Sequence, residues 1–99
     1  MKNIKVLAKI FADLRTGEDI RRLMLELFTQ SELNTLSKRW QILNLLNQKR
    51  KQRDIAAQLQ VSLCKVTRGS KILKKTNTIV KKYLDGDKAN DNNIQKNTK

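Results

Sequence analysis

The chemistry this chain can offer is concentrated between Lys49 and Lys75, where nine bases (Lys49, Arg50, Lys51, Arg53, Lys65, Arg68, Lys71, Lys74, Lys75) stand against one acid, Asp54. Over all 99 residues, 22 Lys and Arg against 9 Asp and Glu give a formal net charge of +13 and a pI of about 10.3. A field this concentrated attracts polyanions: nucleic acid, anionic lipid or an acidic protein surface. A basic run can also be no more than solvated surface, but these bases sit inside a patterned two-helix unit, which favours nucleic acid. Enzymatic chemistry is not expected, because the chain has no histidine, no carboxylate pair at catalytic spacing and no phosphate-cradling glycine loop. Cys64, the single cysteine, forms no internal disulfide and has no histidine or second thiol nearby for zinc. No apolar run approaches the ~20 residues of a membrane span, and no signal-peptide pattern opens the sequence, so no membrane association and a cytoplasmic location are expected.

The patterned unit runs from Gln52 to Lys74. Ile55, Leu59, Val61 and Val66 supply the apolar contacts between two short helices, and Ala56 is small where the helices must cross closely. Ser62 is suited to cap the second helix. Gln60 falls in the turn at a position that usually holds glycine, because the backbone there is left-handed; a side chain in that conformation costs on the order of 1 kcal/mol. This is the pattern of a helix-turn-helix, whose second helix enters the DNA major groove. Gln52, Arg53, Lys71 and Lys74 are the candidate phosphate contacts, with Lys49 and Lys51 adding field. Leu63, Cys64, Lys65 and Thr67 are the candidate groove face. Small and apolar side chains there can meet thymine methyls or leave room for bridging water, and Lys65 suits either guanine O6 and N7 or a phosphate. Cys64 is better read as a small neutral side chain chosen for space than as a redox switch.

The remaining elements must hold this unit. Ile4, Leu7, Ala8, Phe11 and Leu14 mark one apolar stripe on a helix over residues 3–15; Thr16 to Asp19 break and restart it; and Ile20, Leu23, Met24, Leu27 and Phe28 mark a second. Thr29 and Glu32 form a capping box that opens a third helix running to about Gln48. Its apolar residues, Leu33, Leu36, Trp40, Ile42, Leu43, Leu45 and Leu46, cover more than one face, which predicts burial on several sides. Three such helices in so short a span carry more apolar surface than they can cover alone, so a homodimer is expected, with a compact monomeric bundle as the alternative. A short last helix, Thr78 to Leu84, is expected to dock Ile79, Val80, Tyr83 and Leu84 on the core. With no proline and three glycines, the fold class is all-α. Residues 1–85 form a helical dimerisation core with the DNA-binding unit at 52–74, and 86–99 a disordered polar tail.

These residues resemble the tryptophan repressor family. V-T-R-G-S-K-I-L-K, Val66 to Lys74, is similar to its recognition-helix signature T-R-G-S-N-x-L-K. L-F-T-Q-S-E-L-N-T-L-S-K-R-W, Leu27 to Trp40, looks like its L-T-x-x-E-x-x-x-L-x-x-R stretch, and Q-R-D-I-A like its Q-R-E-[LI] opening of the helix-turn-helix. The resemblance covers about Leu23 to Leu84. It implies a six-helix, intertwined homodimer that binds a double-stranded DNA operator with two reading heads ~34 Å apart. It also implies repression of tryptophan biosynthesis or uptake genes, with L-tryptophan as corepressor and no other cofactor. In that pocket Arg39 and Arg68 would bracket the indole ring, Gly69 would give it room, and Phe28 and Thr29 would lie near the ligand amino group. Three features depart from the family pattern. Ile72 replaces a serine beside the amino group, Lys65 replaces a threonine near the ligand carboxylate and DNA, and the turn matches one residue shorter than in the enteric repressors. Two alternatives are a regulator of the same fold with a different ligand or none, and a basic RNA-binding or protein-docking module.

Overall fold

A computed structural model describes residues 2–86. Six helices follow in order: α1 (Lys2–Asp13), α2 (Gly17–Leu27), α3 (Gln30–Asn47), α4 (Gln52–Leu59), α5 (Leu63–Lys74) and α6 (Ile79–Gly86). All regular structure among the described residues is helical, and no helix among them is long and apolar enough to cross a membrane. Gly86, expected to open the tail, instead closes α6; the rest of the expected tail, residues 87–99, lies outside the described residues. The described residues form two compact units that divide between Leu36 and Ser37, within α3.

The N-terminal unit is organised by its caps. Thr16 is in extended conformation, and its Oγ1 accepts a hydrogen bond from the Asp19 N–H at 3.1 Å, which satisfies one of the free donors that open α2. Glu18 and Asp19 lie at the positive end of that helix. Arg21 forks both oxygens of Glu18 at 3.0 and 2.8 Å, and this pairing holds the Glu18 carboxyl below its usual range. Phe28 ends α2 in extended conformation, its N–H donating to the Met24 carbonyl at 2.9 Å. The capping box then forms as expected: the Glu32 N–H donates to Thr29 Oγ1 at 3.1 Å, and the Thr29 N–H donates to Glu32 Oε1 at 2.8 Å. Both apolar stripes are present on α1 and α2, yet neither helix contains a buried residue, and Ile4, Leu25 and Leu27 are each half exposed or more.

The C-terminal unit holds the core. Ile42, Ile55 and Val66, one from each of α3, α4 and α5, are buried together, with Leu45, Leu46, Ala56, Leu59 and Val61 packed against them. Each of the three buried side chains contributes roughly 1.5–3 kcal/mol by leaving water. The helix ends fix how the three meet. Past α3, the Arg50 N–H donates to the Leu45 carbonyl and the Lys49 N–H to that of Leu46, with Lys49 left-handed at φ 68°. This is a Schellman closure made without glycine. Gln60 is left-handed at φ 57°, ψ 49°, as its place in the turn predicts, and Ser62 Oγ accepts from the Lys65 N–H at 3.3 Å to open α5.

Two expectations about burial change. On α3 only Ile42 and Leu43 are buried, with residues 44–47 half-buried beyond them, whereas Leu36 and Trp40 are exposed, so only the C-terminal half of the helix is covered on several sides. On α6 only Leu84 is buried; Ile79 is 78% exposed and Tyr83 39%, and the helix opens with the Lys81 N–H donating to Thr78 Oγ1. Tyr83 meets Trp40 edge to face, with ring centroids 5.7 Å apart.

Candidate functional site

The site is built on α5, and its two sides do different things. Leu63, Cys64, Thr67, Arg68 and Lys71 recur at one helical face and line an open hollow of about 330 Å³. Lys65, Arg68, Gly69 and Ile72 form the adjacent face. With Arg39, Ile42 and Leu43 from α3 they line a second cavity of about 310 Å³, at the small end of ligand-sized clefts. Arg68 lies on the wall of both.

The outward hollow contains most of the expected groove face. Leu63 and Cys64 are exposed there, and Lys71 stands in the last turn of α5 with Lys74. Thr67 differs: it is half-buried, and its hydroxyl donates to Gln52 Oε1 at 3.0 Å, tying α5 to the first turn of α4. That bond uses only the amide oxygen of half-buried Gln52, which precedes the exposed Arg53. Lys51 precedes α4 without a side-chain cap, so the first backbone N–H groups of this helix face an environment that favours anions. Arg50 is partly committed within the unit, donating to Gln58 Oε1 at 2.8 Å. None of the nine bases from Lys49 to Lys75 is paired with a carboxylate among the described residues.

The inner cavity brings together four of the six expected ligand residues: Arg39, Arg68, Gly69 and Ile72. Phe28 and Thr29 belong to the N-terminal unit, where they make the corner between α2 and α3. Two wall residues, Ile42 and Leu43, were not expected there. Ile42 and Leu43 follow Arg39 at three and four residues, a spacing that places them on its face and could have marked them. Lys65, expected on the groove face and, by the resemblance, near the ligand carboxylate, joins Arg39 and Arg68 on the cavity wall. Lys65 and Arg68 are three residues apart on α5, which puts them on one side of the helix.

Gly69 is buried because α5 approaches α3 closely there. A Cβ added to it would stand 2.9 Å from Ile42 Cγ2 and 3.2 Å from Leu46 Cδ1. Ile42 Cγ2 is held against the backbone of a packed helix, so it cannot swing aside. Gly69→Val is expected to force the two helices apart and lower stability by about 2 kcal/mol, measured by thermal or urea unfolding. The glycine therefore sets the width of the cavity through helix packing.

Together these features define a small all-helical protein whose basic two-helix unit presents an open cationic face and walls a ligand-sized cavity behind it. The chain belongs to the Trp repressor protein family, whose profile matches residues 2–88. It is similar to the Trp operon repressor homologs of Xylella fastidiosa strains M23, Temecula1 and 9a5c. Each is 35% identical over 81 residues, covering 81% of this chain and 86% of the relative. No solved structure matches the chain at a comparable level of significance.

Proposed function

We propose that this protein is a sequence-specific DNA-binding repressor of transcription that acts as a homodimer and uses L-tryptophan as corepressor. On this reading it controls genes of tryptophan biosynthesis or uptake. The observation that carries the reading is the double position of Arg68, which walls both the outward hollow of α5 and the inner cavity. A ligand that fixes this guanidinium from inside changes what the helix presents outside.

The unit α4–α5 then acts as a helix-turn-helix, with Gln52, Arg53, Lys71 and Lys74 on phosphates and Leu63 and Cys64 towards the groove. The buried trio Ile42, Ile55 and Val66 keeps the two helices at a fixed crossing. The tryptophan ring would lie against Ile42, Leu43 and Ile72 with Arg39 and Arg68 at its faces. A guanidinium there can stack on the ring and hold a carboxylate through two hydrogen bonds. The uncovered stripes of α1 and α2, with Leu36 and Trp40, support the homodimer. Ile4, Val6, Leu7, Ile10, Leu25 and Leu27 are all more than 40% exposed within one chain, far more apolar surface than a monomer usually leaves wet. A second copy covering them would also provide the second reading head.

The corepressor must bind the DNA-competent arrangement more tightly than the others, since a ligand of equal affinity shifts nothing. Titration calorimetry with L-tryptophan and gel-shift assays with and without it test the reading. Tryptophan is expected to raise operator affinity by about 5- to 150-fold, the usual range of such couplings. Arg68→Ala is expected to abolish that increase. Absence of heat with L-tryptophan, together with unchanged DNA affinity, would rule out the corepressor part. Equal affinity for random duplex and structured RNA would rule out the DNA part.

A further inference from the structure

A side-chain hydrogen bond joins the two helices of the basic unit. Thr67, in the middle of α5, donates its hydroxyl proton to Gln52 Oε1, in the first turn of α4, at 3.0 Å. A threonine inside a helix can instead turn that proton to the carbonyl four residues back. Thr35 does so on α3, donating to the Ser31 carbonyl at 3.1 Å. Thr67 spends its proton on another helix. Both partners are half-buried, while Lys51 and Arg53 on either side of Gln52 are exposed. The bond is therefore partly sheltered from competing water, and two cations flank the amide it holds.

A bond to the amide oxygen fixes more than the spacing of two helices. The oxygen and nitrogen of a planar amide diverge from one carbon, so holding Oε1 against Thr67 turns the NH2 group away from it. The two groups have opposite uses at DNA. An N–H donates to a phosphate oxygen, whereas a carbonyl oxygen facing a phosphate is repelled. A glutamine that nothing holds samples both orientations, and ordering it on binding costs affinity. We propose that Thr67 is a positioning residue for DNA binding: its hydroxyl holds the Gln52 amide with the NH2 group set to donate to a phosphate. Gln52 touches the backbone of the duplex, and Thr67 acts through Gln52. Lys51 and Arg53 supply the charge at that place, and the amide adds a directed donor without adding charge. This role rests on reading α4 and α5 as the DNA-binding unit, and it takes Thr67 out of the groove-reading set.

The test is fluorescence anisotropy of the full chain over a salt series on two duplexes, one selected from a random pool for tight binding and one scrambled from it. Thr67→Val keeps the shape of the side chain and removes the proton. It is expected to weaken binding to both duplexes about 3- to 10-fold for each head that touches DNA, the worth of one hydrogen bond. The salt slope is expected to stay unchanged, because a neutral amide displaces no counterion. Thr67→Ser is expected to restore the affinity lost in Thr67→Val. In a Gln52→Ala background Thr67→Val is expected to change affinity by less than about twofold, since the group it positions is gone. Urea unfolding checks that every variant is folded under the conditions of the assay. Unchanged affinity in Thr67→Val overturns the proposal. An equal loss in the Gln52→Ala background also overturns it, making Thr67 a DNA contact in its own right. A loss on the selected duplex alone overturns it in favour of base readout. A shallower salt slope overturns it in favour of a packing role, in which α5 has shifted and carried Lys71 off its phosphate. Each of these outcomes leaves the DNA-binding reading standing. Failure of the unsubstituted chain to bind either duplex overturns both.

Discussion

Affinity for duplex DNA is expected to fall about 10³- to 10⁵-fold when monovalent salt is raised from about 50 to about 200 mM, the loss typical of proteins that make roughly 6–10 phosphate contacts. The reasoning starts from the unpaired bases. Arg53, Lys71 and Lys74, with Lys49 and Lys51 beside them, are exposed and have no carboxylate partner among the described residues. Their charge is free to displace counterions from DNA, and two copies of the head place the total in that range. Filter binding or fluorescence anisotropy over a salt series gives the slope directly. Lys71→Ala should reduce the slope by about 1 for each head that touches DNA, about 2 for a homodimer, and it should do so equally on all sequences. A shallow slope would show that the cationic face does not track a phosphate backbone. A change confined to one sequence would move Lys71 from phosphate contact to base readout.

The second large effect concerns stability. Ile55→Ala should destabilise the protein by about 2–5 kcal/mol, seen as a lower urea or thermal midpoint. Ile55 is fully buried, and it touches the two other buried residues that join α3, α4 and α5. Removing its outer methyls leaves a void among Ile42 and Val66 that neighbours anchored in helices cannot fill. With so few buried residues in the chain, little else can compensate. DNA affinity should fall with it even under conditions where the mutant remains folded, because the crossing of α4 and α5 depends on this contact. Unchanged stability would mean that the three-helix junction is not what holds the unit together.

Much of the fold follows from local sequence. The six helices, the caps at Thr16, Thr29 and Ser62 and the left-handed Gln60 are all decided within a few residues of themselves, because capping and turn conformation depend on near neighbours. The signature V-T-R-G-S-K-I-L-K carries the family with it, and the family follows from residues rather than from shape. What periodicity could not decide is which apolar face finds a partner. The stripes on α1 and α2 are as regular as those in the core, yet within one chain they stay uncovered, and Ile79 turns outward from a helix that was expected to dock it. A hydrophobic stripe states that a face must be covered; it does not state by what.

The basic unit from Lys49 to Lys75 shows the same division. Its charge, its two helices and its turn are written in consecutive residues, so sequence alone determines a cationic two-helix head. Only the tertiary structure decided how its bases are shared out. Packing of Gly69 against Ile42 brings α5 close enough to α3 for Lys65 and Arg68 to join Arg39 around one cavity. Thr67 is tied to Gln52 of α4 while it lines the outer hollow with Lys71. Those assignments depend on the rotation of one helix against another. That rotation is fixed by contacts between residues some 27 positions apart, Ile42 and Gly69, which no local pattern encodes.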